Sequence, residues 1–323
     1  MALLQFGSAI VVNASLAWMT GVWLSRLWLH GSNHALDDAL TTSTLPAACL
    51  CLLGSGAALW AATAVMSGAS LGPASHMLVL VATDTALGQS SLLGMALLLA
   101  LVPINLLVRR TSKRRPAHRQ AGIPASDLAI AALLLGYAFT RASNSHAAED
   151  GLLSLGFAVE WLHLALIAAW IGTVAAAGWV VLPRARRAAA MSDATAISTV
   201  SPADLAADLT AYLTPLSRAA GLALAGIVAS GLYNSWHRLG AWDNLLGNPY
   251  ANVLSVKVAL VLLAVALGGY NKWIGFPSIV NAASLSTPAL ARVIAILRLE
   301  SVLWLAALSA AARLVSLAPP ASF

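Results

Sequence analysis

The chain has 323 residues, of which 59% are hydrophobic and only 9% charged, at a mean hydropathy of +0.81, whereas a soluble domain carries about 25% charge. Apolar runs recur from end to end and leave no interval for a nucleotide-binding domain, which excludes an ATP-driven pump. The net charge of +6 and pI near 9.8 therefore report membrane topology before they report a nucleic-acid partner.

Eight spans are predicted, near residues 5–28, 45–66, 87–108, 125–141, 152–182, 213–236, 252–273 and 294–316, making 1–323 a single all-α, polytopic transmembrane bundle. The first run, MALLQFGSAIVVNASLAWMTGVWLSRLWL, lacks a basic leader and a small-residue cleavage site and is expected to be retained. Cys49 and Cys51 lie in the second span; two apart on a helix, they do not share a face, and they read either as small core residues or as thiols that receive Cu(I). Met66 ends that span, and His76 and Met77 follow in the loop 67–86. Pro103 is expected to kink the third span.

RRTSKRRPAHR (109–119) follows the third span; Arg184, Arg186 and Arg187 follow the fifth, and Lys272 and Arg292 bracket the connection after the seventh. All three basic connections fall on one side, which by the positive-inside rule is the cytoplasm, and both termini are then outside. His146 belongs to the outer loop 142–151, and His237 to the outer end of the sixth span, where it joins the other outer residues or contacts headgroups. Imidazole suits copper and thioether selects Cu(I), so an outer set of Met66, His76, Met77, His146 and His237 points toward copper more than zinc.

In the fifth span, AVEWLHLALIAAW, Glu160 and His163 are three apart and share a face. Counted from residue 152 they lie roughly 12 and 17 Å deep, which places His163 close to the midplane. Ionisable side chains there are costly and should face the protein interior, either as a ligand or proton-relay pair or as hydrogen bonds fastening two helices. Gly172 with Ala176, and Gly226 with Ser230, form small-xxx-small pairs that permit close helix approach, and Pro183 is expected to end the fifth span. Lys257 in the seventh span is at a depth to pair with Glu160 or to snorkel outward. Glu300 in the eighth is expected to pair locally with Arg298 or a rim cation. Trp28, Trp161, Trp236 and Trp273 lie near span ends, as an interfacial belt requires. No internal repeat is apparent, and no P-loop, H-E-x-x-H or G-x-S-x-G occurs, so an enzyme is not expected.

SHAA (145–148), HLAL (163–166) and WIG (170–172) are followed by SGLYNSWHRLG and by NPYANVLSVKVALVLLAVALGGYNKW. With Glu300 in the last helix and MSG at 66–68, their order resembles the copper resistance protein D (CopD-like) family of bacterial inner-membrane proteins, most strongly over 140–317. Tyr250, Leu254, Lys257, Asn271 and Trp273 occupy the family's places; Ala251 stands where glycine is usual, and TALGQSSLLGM lacks an arginine often found there. The resemblance implies a multi-pass inner-membrane protein with periplasmic termini that moves copper from periplasm to cytoplasm and works with a periplasmic CopC-like copper-binding partner. His146 and His163 lead the implied copper residues, supported by Glu160, Met66 and Lys257. Two other readings stay open: a cytochrome-b-like haem protein, and a copper-binding sensor that does not transport.

Overall fold

The computed structural model describes residues 2–29, 34–112, 122–194, 202–239, 249–280 and 286–315. All regular structure among them is helical, and eight helices are long and apolar enough to cross a membrane. They are α1 (Ala2–Trp28), α2 (His34–Ser67), α3 (Ala86–Ser112), α4 (Ala125–Ala142), α5 (Leu155–Ala176), α6 (Pro202–Leu239), α7 (Pro249–Tyr270) and α8 (Thr287–Val315). The chain is thus a multi-pass α-helical membrane protein, the architecture of inner-membrane proteins. Of RRTSKRRPAHR, only residues 109–112 lie among the described residues.

Proline is where the helix ends depart from expectation. Pro46, Pro103 and Pro215 all sit inside helices, and α2 and α6 begin about eleven residues before their predicted starts. Nor does Pro183 end the fifth span: α5 passes through a π-helical turn (Ala177–Val181) into Leu182–Ala194. The seventh does the same through Asn271–Gly275 into Phe276–Val280. Proline lacks the N–H that would bond the carbonyl four residues back, and a wider turn just before it absorbs the defect. The widening is visible in Leu182 N–H bonding the Ala177 carbonyl, and Phe276 N–H bonding that of Asn271.

These two turns reveal a repeat that the sequence reading missed. AGWVVLP and NKWIGFP each place tryptophan third and proline seventh, and His163 and Lys257 each lie 20 residues before that proline. Both π turns pack against α8.

α1 is the centre of the bundle, touching α2, α4, α5, α6 and α8, whereas the long contact of α7 is with α8 alone. The α1–α5 crossing is backbone on backbone: a Cβ on Gly172 would overlap the Ala17 carbonyl, and one on Gly21 would overlap Gly172 itself. Without a hydrophobic drive inside lipid, such close approach is what holds membrane helices together. Near the basic end, Arg26 is 5% exposed and binds Asp37 at 2.7 Å and Asp127 at 3.6 Å, tying α1 to α2 and α4. Leu71–Ala74 and Leu78–Asp84 form short helices in the predicted loop 67–86, held to α2 by Trp60 Nε1 donating to the Leu71 carbonyl.

Candidate functional site

The polar pair of α5 faces α6. The hydroxyl of Ser154 caps α5 by accepting from the Phe157 N–H, so the helix starts at Leu155 rather than near residue 152. Glu160 and His163 are then about 7 and 12 Å below its start. The predicted span counted residues 152–154, which precede the helix, so His163 lies nearer the start of α5 than counted from residue 152.

Across the interface α6 presents Gly226, Ser230 and Asn234, one per turn. Gly226 leaves room for Leu166, whose Cδ1 a Cβ there would overlap, and the two helices close. Asn234 Nδ2 donates to Glu160 Oε2 at 2.7 Å, and His163 Nδ1 meets Ser230 Oγ at 2.8 Å. Ser230 has one hydroxyl proton, which it donates to the Gly226 carbonyl at 2.5 Å. With that proton committed, Ser230 accepts from His163 Nδ1–H, which in the neutral imidazole leaves the lone pair on Nε2. This is the arrangement a metal-ligating histidine uses: one nitrogen anchored through N–H, the other carrying the donor pair. The small-xxx-small pair Gly226 and Ser230 thus serves both approach and anchoring.

The outer residues are more dispersed. His146 is exposed and its Nδ1 is 2.7 Å from Glu149 Oε1 on the next turn. His237 stacks on Tyr233 with centroids 4.1 Å apart and donates to the Tyr233 carbonyl. His76 and Met77 are exposed in the turn Ser75–Met77, and Met66 is 56% exposed at the end of α2. Among the described residues no three His, Cys, Asp or Glu side chains come together as a metal-holding group. Cys49 is exposed and Cys51 buried, with Cys51 Sγ turned to the Val12 carbonyl, so the two thiols part as their spacing requires. Lys257 is half-buried on α7. Of the expected belt, Trp161 instead joins two helices by donating to the Leu135 carbonyl of α4.

Glu300 departs from expectation. Arg298 turns away from it, donating to the Gly178 carbonyl of the first π turn and stacking on Trp179 at 4.8 Å. Glu300 is 1% exposed, 13 residues from the start of α8 and close to its middle, with both oxygens lacking a hydrogen bond. The Trp304 indole N–H, one turn on, is near enough to act on the Glu300 carboxyl without closing a hydrogen bond of good geometry. Asn271, also 1% exposed, has both amide atoms unsatisfied. Such orphaned atoms cost about 1 to 3 kcal/mol each and are rare in packed interiors. In the sequence Asn271 stood out only as a match to the family pattern and Trp304 not at all; a lone Trp in an apolar run carries no signal until the helices are packed.

Residues 210–314, about a third of the chain, match the family model for copper resistance protein D. The matched stretch holds Ser230, Asn234, His237, Lys257, Asn271 and Glu300, and lies beyond His146, Glu160 and His163. No curated protein and no solved structure matches the chain.

Proposed function

We propose that this protein carries copper across the bacterial cytoplasmic membrane, from periplasm to cytoplasm, with His163 as the intramembrane copper ligand. The observation that carries the reading is the anchored imidazole: Ser230, inside the stretch similar to copper resistance protein D, holds His163 Nδ1–H and directs the Nε2 lone pair to ligation. Glu160, fixed by Asn234, supplies negative charge one turn outward along the same face. The basic loops set the cytoplasmic side, so Met66, His76, Met77, His146 and His237 belong to the periplasmic end, as do both termini.

In this reading the exposed outer His and Met residues receive copper from a periplasmic CopC-like partner. Their exposure is what hand-over between proteins requires. His163 then takes the ion into the α5–α6 interface, where a site must bind well enough to strip water and loosely enough to release.

Copper uptake into sealed proteoliposomes tests this, comparing wild type with His163→Ala and His146→Ala at equal protein levels. Wild type should accumulate copper, His163→Ala should lose nearly all uptake, and His146→Ala a smaller share. Unchanged uptake in both variants would overturn the assignment; absence of wild-type flux with retained copper binding would favour a sensor.

A further inference from the structure

We propose that Glu300, Asn271 and Trp304 form an intramembrane proton site on the cytoplasmic side of the bundle, and that its proton is coupled to copper movement. The coupling rests on the transport reading above; the proton site does not.

Three polar side chains, 1%, 1% and 3% exposed, gather where α7 meets α8, with their polar atoms unsatisfied. Two glycines make the space. A Cβ on Gly268 would stand 3.2 Å from Glu300 Oε1, and one on Gly275 would stand 2.7 Å from Asn271 Oδ1. Gly268, Asn271 and Gly275 share one face of α7, opposite Glu300. The π turn that starts at Asn271 is the kind of helix irregularity found at functional sites.

Several charged groups on the neighbouring helices are turned elsewhere. On α1, Arg26 binds Asp37 and Asp127. Glu160 of α5 holds Asn234, and Arg184 just beyond the first π turn reaches the Val180 carbonyl. Arg298 of α8 is turned to Gly178, and Lys257 lies eleven residues along α7 from Gly268. Lys272 reaches across to α6, with its Nζ 3.5 Å from a Cβ placed on Gly221. Arg186 and Arg187 lie farther toward the basic end. Among the described residues Glu300 thus faces Gly268 and the Trp304 indole and takes part in no ion pair, a setting in which a carboxyl exchanges a proton instead of standing as half of an ion pair.

The π turn is also approached from the α6 side. A crevice of ≈ 270 Å³ lies between α6 and α7, lined by Thr214, Ser217, Arg218, Lys272, Phe276 and Pro277. It reaches the π turn at Lys272, the neighbour of Asn271. In this proposal a proton enters from the crevice side past the π turn to a Glu300 carboxylate oxygen and returns the same way, and the unsatisfied Asn271 amide is the nearest group of that turn able to donate to a relaying water or accept from it. Oxygen and amide donors suit a proton far better than Cu(I), which distinguishes this place from the histidine site.

Infrared difference spectroscopy of the full-length protein in vesicles, between acid and neutral pH, reads the site directly. Wild type should show a pH-dependent carboxyl C=O band that Glu300→Gln removes and that Trp304→Phe shifts in frequency. Identical spectra for wild type and Glu300→Gln would overturn the proton site, and the Trp304→Phe shift guards against loss of the band through misfolding. For coupling, copper accumulation is measured under imposed pH gradients of either sign. One proton per copper ion changes the steady-state ratio by about tenfold per pH unit. A ratio indifferent to the gradient, with the band present, would overturn the coupling alone. The band without any copper flux would count against copper transport and leave the proton site standing.

Discussion

The hairpins α5–α6 and α7–α8 share a pattern and have been used differently. Each leading helix carries an ionisable residue 20 positions before a proline and a π turn ahead of that proline. In α5 that residue is His163, anchored by Ser230, beside a Glu160 held by Asn234. Polar groups at the α7–α8 contact are left unsatisfied, with Glu300 close to the middle of α8. α5 is also pressed into the bundle by its crossing with α1, whereas α7 leans on α8 and turns Leu262, Leu263 and Trp273 outward. The same local pattern thus gives a hydrogen-bonded polar face in one hairpin and an unsatisfied one in the other. What separates them is the neighbour each helix acquires.

Breaking that difference should have graded consequences. The largest follows from Gly172→Val: the side chain would enter the Ala17 carbonyl, and the bundle should lose about 3 kcal/mol or more, measured by unfolding in detergent. Its counterpart by position on α7, Ala266, is exposed, and Ala266→Val should stay within about 0.5 kcal/mol. If both destabilise alike, the asymmetry between the hairpins is wrong. Next is Ser230→Ala, which frees the ring of His163; copper affinity should fall about tenfold to a hundredfold by titration, whereas Lys257→Met at the matching position should change it much less. An equal loss in both would make the two helices functionally equivalent.

A smaller contrast concerns the carboxyls. Glu160→Gln weakens a charge-assisted bond to Asn234 and should cost about 1 to 2 kcal/mol, while Glu300→Gln alters only the loose contact with Trp304 and should cost less than about 0.5 kcal/mol. A clear destabilisation by Glu300→Gln would reveal a partner for that carboxyl. Smallest of all, Cys49→Ser on the exposed face of α2 should shift neither stability nor copper uptake measurably.

The number of spans, their order and the residues that are costly in lipid were all legible in the chain, because hydropathy and helical spacing are local properties. Glu160 and His163 were placed on one face by a separation of three, and their partners on α6 follow from a Gly–Ser pair noted only as small. The proline boundaries failed for a physical reason: a soluble helix ends at such a residue, but a helix with no water to satisfy its freed carbonyls widens and continues. That same widening concealed the α5–α7 repeat, which becomes apparent when both π turns are aligned.

Glu300 marks the division most sharply. Arg298 two residues away made an ion pair the natural expectation, yet neighbours at that separation project from different sides of a helix. Packing sent the arginine to a carbonyl on α5 and left the carboxyl facing a glycine on α7. Sequence alone determined that this is an eight-span bundle with a few expensive polar residues, since each apolar run carries its own thermodynamic signature. Which of those residues are satisfied and which are left open was decided only by the tertiary structure, because a hydrogen bond between helices depends on crossing, register and rotation.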